Sequence, residues 1–385
     1  MKNTKNEQLN KSTRELVIDE DSLYVSMRKC QKNVTWKPSV KLFVLNSEDY
    51  LYDMERDLKR GKWKNGKTKE VQILYPKKRK ALSISFRDRV YQRSVNDNAL
   101  YPQMTRHFIH ANAACQKGKG TDFTRKLVKK YLQSYISKYG TEGYLLQIDI
   151  HQYYPSMDHS MVKECFKKNV DEEAYKMASE ILDTQYTGKS GYNPGSQMVQ
   201  IAGISFMNDI DHYIKEDLHA NCFIRYQDDF WLLGNTESEV MSWFVNIEKK
   251  LSEKGFTLNE KKSHVTPLSK GFTFLGFKYR ILDTGKIIMT LNSDNVKHER
   301  KKLARMTKKA SRGDIVPSKI DECYDSWKNN AKNGNSYNLI RRTDKYLKAL
   351  RNGGQNGGSK NDKNSTGTGR GRVHQSHCGK TEKNN

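Results

Sequence analysis

Three carboxylates carry the most chemistry in this sequence. Asp149 stands in Gln147-Ile148-Asp149-Ile150-His151-Gln152-Tyr153-Tyr154, and Asp228 and Asp229 stand side by side in Ile224-Arg225-Tyr226-Gln227-Asp228-Asp229-Phe230. Two adjacent carboxylates among Phe223, Ile224, Trp231, Leu232 and Leu233 repel each other unless a cation neutralises them. Hard divalent ions such as Mg²⁺ prefer such oxygen ligands. Two ions roughly 3.5–4 Å apart stabilise both the attacking and the leaving oxygen of an in-line displacement at phosphorus. Adjacent aspartates are also common in ordinary turns. Asp149, at the end of an apolar and β-rich run, supplies the remote third carboxylate that nucleotidyl transfer needs.

The elements that must bring these groups together are readable from apolar spacing. Residues 144–150 read as a strand ending near Asp149, and residues 223–234 as a hairpin with Asp228 and Asp229 at its turn. Two short strands, 71–75 and 81–85, flank the cationic run Pro76-Lys77-Lys78-Arg79-Lys80. Phe123, Leu127, Val128, Tyr131, Tyr135 and Ile136 recur at helical spacing, with Gly140 as the stop. Ile201, Ile204, Met207, Ile210, Ile214 and Leu218 form a second helical stripe. Residues 272–281 and 287–291 read as a hairpin about Asp283-Thr284-Gly285. Three basic helices follow, carrying Leu303 and Met306, then Ile320, Tyr324 and Trp327, then residues 336–350. Residues 1–70 read as a partly helical leader, with Trp36 and Trp63 arguing against full disorder.

Composition limits the partners. A chain of 385 residues is long enough for two or three subdomains. Its formal net charge of +25 points to a polyanion, and nucleic acid is the default. The six cysteines, Cys30, Cys115, Cys165, Cys222, Cys323 and Cys378, are scattered without a C-x-x-C pair. That spacing argues against a disulfide framework or a zinc knuckle and fits a reducing cytoplasm. The first ten residues are polar and lack the apolar core of a secretory signal, and no apolar run reaches bilayer-spanning length. From Arg351 onward Gly, Asn, Ser and Lys dominate, a composition expected to stay disordered, and His374, His377 and Cys378 lack zinc partners there.

Taken together, the stretches around Asp149 and around Asp228-Asp229 resemble motifs A and C of reverse transcriptases, in the right order, within a likeness running from about Val71 to Leu350. The resemblance implies an α+β right hand. Its parts would be an N-terminal extension (1–70), fingers and a palm with an antiparallel sheet (71–291), a helical thumb (292–350) and a disordered tail (351–385). It implies RNA-directed DNA synthesis from dNTPs on a DNA or RNA primer, with two Mg²⁺ or Mn²⁺ ions held by Asp149, Ile150, Asp228 and Asp229. Lys77 and Arg79 would contact the incoming triphosphate, while Arg89 would be structural. Pro194-Gly195-Ser196-Gln197-Met198-Val199-Gln200 resembles motif B, with Gly195 letting backbone approach the template or the nucleotide and Gln200 at the nucleotide site. Leu258-Asn259-Glu260-Lys261-Lys262-Ser263 resembles motif D, which makes Lys262 a general acid for the leaving pyrophosphate. Residues 272–277 resemble the primer-grip hairpin. Tyr154, five residues after Asp149, takes the place of the aromatic beneath the sugar that excludes a 2′-OH, and Tyr153 reads as core.

The common form of motif B has Gln before the glycine and Ser-Pro at its end, where this chain has Pro194 and then Val199-Gln200. A terminal Gln is similar to the enzymes of diversity-generating retroelements, although those carry Ser where Val199 stands. Such enzymes usually work with a small basic accessory protein. An antiphage defence reverse transcriptase, an orphan group II intron-like enzyme and a catalytically dead nucleic-acid-binding protein are the alternatives.

Overall fold

The computed structural model describes residues 11–74, 78–193 and 196–353. The leader is more helical than its composition suggests. It forms α1 (Thr13–Ile18), α2 (Glu20–Cys30), α3 (Pro38–Leu45) and α4 (Ser47–Lys59). Ser12 and Glu15 close a capping box at the start of α1. Two strands follow, β1 (Lys69–Ile73) and β2 (Arg79–Ser83), paired antiparallel with Val71 opposite Ala81. Both begin two residues earlier than expected.

The chain then enters α5 (Phe86–Val95), a π-helical turn (Asn96–Leu100), α6 (Tyr101–Thr105) and α7 (Thr121–Tyr139). The Ser85 hydroxyl caps α5 by accepting from the Asp88 amide at 3.0 Å. Leu23 and Met27 of α2 and Val90 and Val95 of α5 are buried in one core. Ser94 ties the two segments by donating to the Val17 carbonyl at 2.6 Å. The leader is therefore a structural part of the first unit, in agreement with its tryptophans.

Next come β3 (Tyr144–Asp149), α8 (Tyr153–Ser156), α9 (His159–Asn169), α10 (Glu172–Gln185), α11 (Gln197–Ser205) and α12 (Asn208–Glu216). The stripe from Ile201 to Leu218 is thus two helices. The chain bends at Phe206 and Met207, both buried, because Ser205 back-bonds to Ile201 at 2.7 Å and Lys254 takes the freed Phe206 carbonyl at 3.1 Å. The remaining elements are β4 (Cys222–Tyr226), β5 (Asp229–Gly234), α13 (Glu237–Glu253), β6 (His264–Pro267), β7 (Phe272–Phe274), β8 (Phe277–Ile281), β9 (Ile287–Leu291), α14 (Ser293–Ser311), α15 (Ser318–Ala331) and α16 (Tyr337–Arg351).

A four-stranded antiparallel sheet of order β4-β5-β3-β6 carries the core, with a separate three-stranded sheet β7-β8-β9. Val240, Trp243, Ile247 and Leu251 of α13 are buried in contact with β3 and β5. The run 272–281 is two strands, because Leu275 and Gly276 take φ of 45° and 82°. Two successive positive φ values make a type I′ turn. Leucine gives no sequence signal for one.

One compact unit holds the described residues up to Val296 together with Ala331–Ser336. The other holds Lys297–Asn330 and the described residues from Tyr337 onward. Within the second, Tyr324 and Lys328 both bond Asp344, at 2.9 and 3.1 Å, and Arg351 bonds Asp321 at 2.6 Å. No described helix is long and apolar enough to cross a membrane.

Candidate active site

β3 is an inner strand with Leu146 and Ile148 almost fully buried, and it delivers Asp149 at its end. In the antiparallel register Asp149 lies directly opposite Asp229, the first residue of β5. Directly opposed residues project to the same face with Cβ atoms about 4.5–5.5 Å apart. Asp229 is therefore on the strand and not in the turn. The turn proper is Gln227-Asp228, closing between Tyr226 and Asp229. Gln227 has φ 58°, a left-handed conformation that costs a non-glycine residue about 1–2 kcal/mol. Asp149 and the adjacent pair Asp228-Asp229, about 80 positions further along the chain, are thus gathered at one end of the sheet.

Residues 257–263 pack along the other side of β3 and fix Asp149. Its carbonyl accepts from the Asn259 amide at 2.8 Å, and its own amide donates to the Ser263 hydroxyl at 3.1 Å. Ile150 bridges Leu258 while its neighbours Asp149 and His151 make the hydrogen bonds. That pattern defines a non-hydrogen-bonded pair. The Ile150 carbonyl therefore points away from Leu258, toward the side on which β5 and its turn lie.

The Asp149 carboxylate accepts from Lys262 Nζ at 2.7 and 2.9 Å and from Asn259 Nδ2 at 3.2 Å. Among the described residues no group of three or more His, Cys, Asp or Glu side chains stands in metal-holding geometry. The positive charge beside Asp149 is the ammonium of Lys262. The donor chemistry nonetheless fits hard divalent ions, because clustered carboxylates here demand positive charge. Burial first, then the charges of Asp228 and Asp149, push the Asp229 carboxyl up to about 7, with Lys262 opposing. Lys262 is correspondingly held above its ordinary value by Asp149, Asp229 and Asp228.

A pH dependence follows. Without metal, folded Asp229 keeps its proton between about pH 4 and 7 while the unfolded chain has released it. Its contribution to stability therefore falls as pH rises through that window and is level above it. In EDTA, the melting temperature of Asp229→Asn minus that of the wild type should rise from pH 4 to 7. A flat difference would remove the shifted titration.

Tyr154 is half-buried, and burial raises its hydroxyl's pKa, with Cys115 and Asp228 close enough to add to the shift. Tyr153 is 3% exposed and donates its hydroxyl to the Gly203 carbonyl. Tyr153 lies in the core, as the sequence suggests, and Tyr154 packs against that core while staying partly exposed. Gln200 is exposed on the first turn of α11 and lines a cavity of about 120 Å³ with Cys115 and Lys117. The cap of that helix is Ser196, which accepts from Val199 N at 3.2 Å. Lys77, Pro194 and Gly195 lie outside the described residues, and Arg79 is placed by its backbone alone, opposite Ile73. The Arg89 side chain, expected to be structural, is exposed.

A groove of about 480 Å³ opens from Asp149 and Asp229 past Lys261, Lys262 and Lys270 to Phe272. Its cations suit a phosphate backbone. Behind the turn, Arg225 and Asp211 are both fully buried and joined by two bonds of 2.6 Å. Arg225 also donates to the Gln227 carbonyl at 3.1 Å and the Ile204 carbonyl at 2.9 Å. Sequence reasoning assigned this pair no role. Its signal was an Asp within one apolar helical stripe and an Arg within an apolar strand.

The family model for reverse transcriptase (RNA-dependent DNA polymerase) matches residues 67–279, more than half the chain, and the chain belongs to that family. It is an RNA-directed DNA polymerase, a nucleotidyltransferase whose substrates are dNTPs on a nucleic acid template and primer. No curated protein matches it.

Proposed function

We propose that this enzyme copies RNA into DNA by two-metal nucleotidyl transfer at Asp149, Asp228 and Asp229, in a retroelement of the diversity-generating type. The register that sets Asp149 against Asp229, beside a turn bearing Asp228, is the observation that carries the reading. The three carboxylates and the Ile150 carbonyl would hold the divalent ions. When bound, those ions supply the positive charge that the phosphate and leaving pyrophosphate require. Lys262 would let go of Asp149 and protonate the pyrophosphate from Nζ. Lys77 and Arg79 would bind the triphosphate, Gly195 would admit backbone to the nucleotide, and Gln200 would line its pocket. The fingers and palm would span 71–291, after an N-terminal extension of 1–70. The basic helices of 292–350 would act as the thumb on an A-like hybrid, whose shallow minor groove is bound by shape and phosphate contacts. Gln200 at the end of motif B supports the diversity-generating assignment.

Primer extension on matched RNA and DNA homopolymer templates tests the activity, with incorporation on RNA expected in Mg²⁺ or Mn²⁺. Sequencing RNA that co-purifies tests the role. A template-repeat transcript is expected, and an intron RNA would remove the diversity-generating reading. Tyr154→Ala should raise ribonucleotide incorporation relative to dNTP by about 10-fold or more, since a lost steric block of this size is worth about 1–3 kcal/mol. Unchanged sugar selectivity in a single-nucleotide extension assay ends the gate assignment.

A further inference from the structure

Gly203 stands in the interior of α11, where glycine costs about 1 kcal/mol relative to alanine. Its φ is not positive, so backbone conformation does not explain it. Packing does. A Cβ built on Gly203 would meet the Tyr154 ring at 2.9 Å from Cε1, 3.0 Å from the hydroxyl oxygen and 3.2 Å from Cζ. The same residue accepts the hydroxyl of Tyr153 on its carbonyl. Two consecutive tyrosines thus rest on one glycine, one by its ring and one by its hydroxyl.

The tyrosines have little freedom to move elsewhere. Their rings lie 5.2 Å apart, and Tyr153 packs on Phe256 at 5.3 Å. The Tyr154 carbonyl is held by the Tyr192 amide at 2.9 Å. Only the exposed side of the half-buried Tyr154 ring is open.

We infer that Gly203 is a specificity-determining residue, a side-chain-free seat that sets how far the Tyr154 ring stands toward the sugar of the incoming nucleotide. The inference rests on the reading of Tyr154 as the sugar gate. A methyl group at 203 drives the ring off the helix and outward, toward the nucleotide. The space for a deoxyribose shrinks, and the space for a 2′-OH shrinks further.

The test is a double-mutant cycle read as kcat/KM for one dNTP and its matching ribonucleotide. Gly203→Ala should lower dNTP kcat/KM about 10-fold and raise discrimination against the ribonucleotide about fivefold, a displacement of under 1 Å being enough for changes of this size. In a Tyr154→Ala background, where the ring is gone, the same substitution should change the ratio less than about twofold. An equal change in both backgrounds, or none in either, overturns the inference. If Tyr154→Ala alone leaves sugar selectivity at the wild-type value, it is the gate that fails, and the cycle distinguishes the two. Should Gly203→Ala melt below assay temperature, Tyr154→Phe/Gly203→Ala relieves the contact with the hydroxyl and carries the same measurement against Tyr154→Phe.

Discussion

Asp228→Asn should lower dNTP incorporation by about 10³-fold or more, and Asp149→Asn and Asp229→Asn should do the same, while each variant keeps its fold. Asparagine has nearly the shape of aspartate, so the β3–β5 register that sets residue 149 opposite residue 229 survives the change. What is lost is a full negative charge at the position proposed to hold divalent ions. A Lewis-acid ion is worth several kcal/mol to a transition state, and about 4 kcal/mol corresponds to 10³ in rate. The three substitutions should separate in metal titrations. Asp149 is already paired with Lys262 at 2.7 Å, whereas burial, and then the charges of Asp228 and Asp149, raise Asp229 to about 7. Steady-state extension over a range of Mn²⁺, with circular dichroism as the control for folding, checks the prediction. Equal silence of the wild type and of Asp228→Asn/Asp229→Asn in both Mg²⁺ and Mn²⁺ would show a nucleic-acid-binding protein that has kept the fold without the reaction.

The sequence exposed those carboxylates because their chemistry dictates residue type. An apolar hairpin has no use for two adjacent negative charges unless something binds them. It also exposed β3, β5 and α7, where apolar alternation or helical spacing is long and uninterrupted. It was silent where local and tertiary demands conflict. Leu275 at φ 45° and Gln227 at φ 58° hold turns that residue preferences assign to Gly, Asn or Asp, so one strand break went unread and Asp229 was placed in the turn. The break between α11 and α12 combines the Ser205 back-bond with the reach of Lys254, which is 48 residues from the carbonyl it captures. Asn259 and Ser263 were visible as a stretch like motif D, but their grip on the Asp149 backbone depends on a bulged return along β3 that no spacing reveals.

The buried pair behind the Gln227-Asp228 turn carries the second large effect. Arg225→Met leaves the Asp211 carboxylate fully buried without its partner and should destabilise the protein by about 3–5 kcal/mol. In thermal melting that is a drop on the order of 10 °C. Asp211→Leu strands the guanidinium in the same way and should cost a similar amount. Burial first, with Asp209 adding, pushes the Asp211 carboxyl up, and Arg225 is the main group opposing it, so the single variants differ from the double. Asp211→Leu/Arg225→Met removes both charges at once, and replacing a buried pair by apolar groups is often neutral or better. Its melting temperature should return to within a few degrees of the wild type. Activity should not return with it. Arg225 also donates to the Gln227 carbonyl, and that bond restrains a turn whose backbone sits in an unfavourable region. Without it Asp228 loses its fixed direction, and a misplacement of 1 Å can cost 10²-fold. The double variant should therefore melt normally and still extend primers at least about 10-fold slower. Recovery of stability and rate together would reduce the pair to core packing, whereas recovery of stability alone makes the guanidinium the positioning group for the turn that presents Asp228.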